Sequence, residues 1–108
     1  MKTIDQFDIS EFNLFCYSLS KTFRNIRIGT DFGYIDSTFD YARMPTDTTP
    51  YFIEYSHGLI SKNIKFQFSF GDLKGIDGKE NQVKFYLKQA EVTLTKGSNS
   101  PLFIKTIS

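Results

Sequence analysis

The sequence predicts an α+β fold in which one N-terminal amphipathic helix packs on a curved antiparallel sheet of five or six strands. Two observations predict it. Apolar residues recur every three or four positions after Asp8, and apolar residues alternate with polar ones in most later segments. A sheet rolled toward a partial barrel is a variant that the pattern leaves open. We expect the 108 residues to form a single domain, because a chain of this length has room for one hydrophobic core.

The helix is predicted from one apolar face. Its members share three- and four-residue spacings: Phe12, Phe15, Cys16, Leu19, Phe23 and Ile26. Asp8 or Ser10 would cap the first turn, since their side-chain oxygens accept hydrogen bonds from unpaired amides. Asn13 and Ser20 are predicted to face water. A strand through residues 12–16 is the alternative, but it explains fewer apolar positions.

A strand with one buried face is predicted at residues 64–70, where the even positions are apolar. The Asp-Gly pair that follows a few residues later is typical of a two-residue hairpin turn. A hairpin centred on that pair places Phe70 opposite Phe85 and Phe68 opposite Leu87.

Shorter strands are predicted at residues 26–28, 35–41 and 51–55, separated by a turn at 29–33 and a loop at 44–50. The apolar phase changes between Lys88 and Ala90, which indicates either a bulge in one long strand or a break into two strands. The final segment, 102–107, is apolar on both faces. It is therefore predicted to be central in the sheet or covered by another element.

Composition and charge exclude several classes of protein. The formal net charge is +1, so no global field attracts nucleic acid or an anionic membrane. Cys16 is the only cysteine, which excludes an intramolecular disulfide and favours a reducing, cytoplasmic location. The N-terminal residues lack the apolar core of a signal peptide, and no apolar run is long enough to cross a membrane. We expect no membrane partner.

The residues needed for catalysis or cofactor binding are scarce. His57 is the only histidine, and its neighbour Ser56 would point away from it on a strand. Cys16 falls on the apolar helix face, where a thiol behaves as a small hydrophobe. The acidic residues lack the spacing of a calcium loop, and the glycines match no phosphate-binding pattern. We therefore predict no enzyme activity, no metal and no cofactor.

The predicted function is a small non-enzymatic protein-protein interaction, as in an inhibitor, an immunity-type protein or an assembly component. The partner would be another protein or a second copy of the chain. A small-ligand or enzymatic module with a pocket between helix and sheet is one alternative. A binder of single-stranded nucleic acid is the other, since phenylalanine and lysine are interleaved near residue 66. It is disfavoured because these rings are expected in the core.

The binding surface is predicted from tyrosine, which concentrates at interfaces because it combines a large ring with a hydroxyl group. The candidate residues are Tyr34, Tyr51, Tyr55 and Tyr86, with Lys84, Lys88 and the loop 45–50. Tyr86 is the clearest of them. Its neighbours Phe85 and Leu87 are assigned to the core, so its own ring is expected to point outward.

Overall fold

The computed structural model describes residues 2–3, 5, 8–23, 25–35, 45–56, 63–98 and 101–107. Backbone contacts divide the chain into two compact units, Ile9–Gly71 and Met1–Asp8 with Asp72–Ser108. The first unit contains a helix and a four-stranded antiparallel sheet, and the second contains a five-stranded antiparallel sheet. The α+β class is therefore confirmed. A single domain stays a prediction.

Helix α1 spans Ile9–Thr22 and begins directly after Asp8. Five of the six residues assigned to its apolar face are buried, at 0 to 4% exposure: Phe12, Cys16, Leu19, Phe23 and Ile26, of which the last two follow the helix end. Asn13 was expected in water, and this is wrong, because its side chain is 6% exposed and accepts a hydrogen bond in the core. The chain then turns at Asn25, whose φ of 67° lies in the left-handed region that asparagine tolerates. Ile26 was counted on the helix face and also at the start of the strand predicted at 26–28; the strand is correct, because the structure has a strand at Ile26–Thr30.

The sheet of the first unit has the strand order β3-β2-β4-β5. Its strands are β2 (Ile26–Thr30), β3 (Gly33–Tyr34), β4 (Pro50–Ser56) and β5 (Asn63–Ser69). One face is apolar and buried, and its residues include Ile26, Ile28, Tyr51, Ile53, Tyr55 and Phe68. Ring contacts join α1 to this face, since Phe12 lies 5.2 Å from Tyr51 and 6.1 Å from Phe68 between ring centroids. The strand predicted at 35–41 lies almost wholly outside the described residues.

The sheet of the second unit has the strand order β1-β6-β7-β8-β9. Its strands are β1 (Lys2–Thr3), β6 (Leu73–Gly78), β7 (Gln82–Leu87), β8 (Ala90–Thr95) and β9 (Leu102–Thr106). Its buried face includes Ile76, Val83, Phe85, Leu87, Val92 and Leu94. Of the two explanations for the phase change after Lys88, the break into two strands is correct, because β7 and β8 form a hairpin.

The single curved sheet is wrong, because the described strands form two open sheets, and neither closes into a partial barrel. The hairpin register is also wrong. Ile76 lies opposite Phe85, while Phe68 lies opposite Tyr51 in the other sheet. The turn expected at the Asp-Gly pair is displaced, because that pair lies inside β6 and the Lys79 amide donates to the Gln82 carbonyl at 2.8 Å, which closes the turn at residues 79–82. A short 3-10 helix, Phe70–Asp72, ends β5 and keeps Phe70 out of the hairpin, buried at 8% exposure.

Strand β9 was expected to be central or covered. It lies instead at an edge of the five-stranded sheet, with β8 as its neighbour. Phe103 and Ile107 at this edge are 64% and 40% exposed, so the central position is wrong and these apolar side chains meet solvent.

Candidate functional site

Two of the four candidate tyrosines lie in the core. Tyr51 is 0% exposed and Tyr55 is 7% exposed, so the exposed positions expected for them are wrong. The period of two in β4 puts both on the same face as Ile53, and this is the buried face. The phenol of Tyr51 is accommodated there because its hydroxyl donates to the Asn13 side-chain oxygen.

Tyr34 lies half-buried on the opposite, outer face of the four-stranded sheet. Its hydroxyl donates to Glu54 Oε2 at 3.0 Å, and the Arg27 guanidinium carbon lies 3.4 Å from its ring centroid. Beside it, the Phe52 ring stands at 87° to the Tyr34 ring and carries the Lys65 ammonium 4.0 Å from its centroid. Two cations are thus held over two aromatic rings, a favourable arrangement at a surface.

Phe52 and Arg27, which surround Tyr34, were not among the candidate surface residues from the sequence. A signal was available for Phe52, because its even position sets it on the face opposite to Tyr51 and Ile53. Its ring lies across Gly29, where a Cβ atom would be 2.8 Å from the Phe52 Cζ and Cε2 atoms. Arg27 and Lys65 already lie over the two rings, and Glu54 already binds the Tyr34 hydroxyl. This outer face therefore has fewer free groups to offer a partner.

Lys84 and Tyr86 lie together on the outer face of the five-stranded sheet, because both occupy even positions of β7. Tyr86 is opposite Glu91 on β8, and Glu91 is opposite Lys105 on β9. Lys88 is exposed in the turn after β7, where its amide donates to the Asp72 carbonyl at 2.9 Å. These three candidates are therefore neighbours on one strand and its turn.

A groove of about 390 Å³ crosses this outer face, and we call it the outer groove. Its lining residues come from β7, β8 and β9: Gln82, Lys84, Glu91, Thr93, Thr95, Phe103 and Lys105. Phe103 supplies the apolar element, opposite Thr93, which is in turn opposite Lys84. The groove is thus an exposed aromatic ring set among polar and charged side chains.

Phe103 and Lys105, which line the outer groove, were not among the candidates from the sequence. The signal for Phe103 was present, since a strand that is apolar on both faces needs a cover for its second face. The loop 45–50, included in the predicted surface, forms a local turn in which the Thr46 amide donates to Thr49 Oγ1 at 2.9 Å. Residues 46–48 are exposed there.

Cys16 and His57 were the two residues considered for catalysis, and the structure describes only the first. Cys16 is fully buried, so solvent does not reach its thiol. Desolvation raises the pKa of the thiol, which therefore stays protonated instead of forming the reactive thiolate. His57 lies outside the described residues. Within those residues, no three histidine, cysteine or acidic side chains gather as metal ligands would.

Binding of single-stranded nucleic acid, one of the alternatives, would need exposed phenylalanine rings along residues 64–70. Two of these rings are not exposed. Phe68 and Phe70 are buried at 5% and 8% exposure, and both contact the Phe12 ring of α1. Rings in these positions are unavailable for stacking on bases. The described helix, with its 14 residues, is too short to cross a membrane.

Comparison with known proteins adds no identity: no family model, curated protein or solved structure matches the chain.

Proposed function

We propose that this protein is a small non-enzymatic interaction protein, such as an inhibitor, an immunity-type protein or an assembly component. It binds another protein or a second copy of the chain through the outer groove and the adjoining Tyr86. The observation that carries the proposal is Phe103, a phenylalanine that is 64% exposed in a groove with charged walls. Aromatic side chains with a polar rim are the usual anchors of protein interfaces.

The charges around Phe103 indicate the chemistry of the partner. Lys84 and Lys105 line the outer groove together with a single acidic side chain, Glu91. Lys88 adds a further exposed cation at the end of β7. A partner segment that presents an apolar side chain to Phe103 and carboxylates to the lysines would match this surface. The proposal includes a cytoplasmic location, which the single cysteine supports.

The proposal is tested by affinity purification of the tagged 108-residue chain from the cells that produce it. Tyr86→Ser and Phe103→Ser should each reduce the recovery of a specific protein by about fivefold or more, as expected for interface anchors. Tyr17→Ser is the matched control. Tyr17 is a 38% exposed tyrosine on α1, outside the outer groove, so its loss should leave recovery unchanged. Equal recovery by all four proteins, each folded, would refute the proposal.

A further inference from the structure

Strand β9 is one of the two edge strands of the described five-stranded sheet, and the longer of them. No described strand pairs with β9 on the side away from β8. The Thr95 amide donates to the Pro101 carbonyl at 2.8 Å, and the Ile107 amide donates to the Gln89 carbonyl at 2.8 Å. Antiparallel ladders alternate, so the odd residues of β9 direct their backbone groups to β8. The N–H and C=O groups of residues 102, 104 and 106 therefore point outward.

Two features that can protect an edge strand, a proline and a lysine, occur at β9, and neither blocks its free edge. Proline protects by removing an amide donor. Pro101 occupies an odd position, so the missing N–H would face β8 and the free edge loses no donor. Lys105 can protect by its charge, but its side chain lies on the outer face in the outer groove. The edge thus presents a regular row of donors and acceptors to an incoming strand.

We propose that a second copy of this chain adds its own β9 antiparallel to this edge, with Ile104 opposite the second copy's Ile104. The product is a two-fold symmetric dimer with one continuous sheet across the interface. The inference rests on the proposed function, because it assigns a partner to Phe103 and Lys105, the groove residues carried by β9.

Backbone groups favour this register over its neighbours. Pairing 104 with 104 also pairs 102 with 106 at both ends, which gives three hydrogen-bonded pairs and about six N–H···O bonds across residues 102–106. A shift of the second strand by two residues in either direction leaves only two such pairs within the same range. The central register therefore uses every outward-facing group of β9.

Side chains favour the same register. It places Phe103 directly opposite the second copy's Lys105, in the close type of antiparallel pair. The lysine stem can cover the ring while its ammonium group stays solvated or lies over the ring face. One of the shifted registers would instead place Lys105 opposite Lys105, which is unfavourable for like charges. The other would place Phe103 opposite Phe103, and it is disfavoured by its loss of one of the three hydrogen-bonded pairs. In the central register Ile107 lies opposite the second copy's Pro101, so both exposed apolar side chains of this edge gain a neighbour.

Sedimentation equilibrium of the full 108-residue chain tests the dimer. The wild type should show a concentration-dependent dimer. Ile104→Pro removes an outward N–H without removing a bond to β8, and it should raise the dissociation constant by about tenfold or more. Ile104→Val keeps the N–H and a similar shape, so it should dimerise like the wild type. Thermal melting at a concentration where the wild type is monomeric should show that both variants fold.

Cysteine cross-linking tests the register. Cys16 is buried, so an introduced cysteine is the reactive thiol. Ile104→Cys should give a disulfide-linked dimer under mild oxidation, because opposite residues in a hydrogen-bonded pair lie about 5.5 Å apart. Thr106→Cys is the control on the same face and is more exposed. Its two copies would be offset by four residues, roughly 13 Å, and should not cross-link.

Two results would overturn the inference. One is a wild-type chain that remains monomeric up to about 1 mM, a weak limit for a specific dimer. The other is cross-linking of Thr106→Cys as efficient as that of Ile104→Cys, which would place a different pair of residues in register. A monomeric chain that still loses a co-purified protein on Tyr86→Ser would refute the dimer and leave the proposed function standing. A dimer from which no other protein co-purifies would support the inference and limit the proposed function to binding between copies of the chain.

Discussion

Replacing Tyr51 by phenylalanine separates a core role from an interface role for this residue. The change removes one hydroxyl group and leaves the ring, so it creates almost no cavity. It takes the donor away from the Asn13 side-chain oxygen, in a core where each buried described polar side-chain atom has a partner. Leaving a buried acceptor unpaired costs about 1 to 3 kcal/mol. We expect Tyr51→Phe to lower the free energy of unfolding by that amount in urea titrations.

The double variant Asn13→Leu/Tyr51→Phe makes the test specific. It removes both polar groups, so its destabilisation should be smaller than the sum of the single variants by about 1 kcal/mol. Tyr34→Phe is the control, because its hydroxyl bonds to Glu54 in a half-buried position on the outer face, where water can take the place of the hydroxyl, so its loss should cost only about 0.5 kcal/mol. The reasoning would be refuted if Tyr51→Phe left stability unchanged while partner binding fell, since that is the behaviour of an interface residue.

Three further variants test the packing and the buried thiol. Phe12→Ala should lower the free energy of unfolding by about 3 to 5 kcal/mol, because the ring is fully buried among the aromatic rings of β4 and β5; a loss below about 1 kcal/mol in urea titration would contradict this packing. Gly29→Ala should lower the free energy of unfolding by about 1 to 3 kcal/mol, since its Cβ would displace the Phe52 ring. An unchanged melting temperature would contradict this, because it would mean that the ring moves aside without cost. Wild-type stability should fall as the pH rises above about 9, because burial raises the pKa of Cys16 and the unfolded chain releases this proton first. Cys16→Ala should remove up to about 1.4 kcal/mol of this loss per pH unit, and identical alkaline slopes for both proteins would contradict the burial of the thiol.

The sequence was informative where structure depends on local spacing. The three- and four-residue period predicted α1, and the alternation around Tyr51 predicted β4. Pairing between distant segments was not predictable in the same way. Residues 73–78 have only two large apolar side chains and two glycines, so β6 read as a loop, and the alternating face of β5 was assigned to the wrong partner strand.

The candidate site was predicted in part for a related reason. Outward positions for Lys84 and Tyr86 follow from alternation along β7, which the sequence displays. Tyr51 was misplaced because tyrosine was judged by its chemistry, although its phase matches that of Ile53. Finding its hydroxyl a partner required the position of Asn13, which only the packed helix supplies. Phe103 is exposed on an edge strand, and the order of strands in a sheet cannot be predicted from the local sequence pattern.

Site-specific photo-cross-linking is the most direct test of the claim that the outer groove is the binding surface. A photoreactive phenylalanine analogue would be placed at position 103 or, as the control, at position 14. Phe103 and Leu14 are 64% and 66% exposed, so the two probes have equal access to solvent. After irradiation in the cells that produce the chain, position 103 should give discrete adducts, with another protein or with a second copy, and position 14 should not. The same adducts from both positions, or none from position 103, would contradict the assignment of the outer groove as the binding surface.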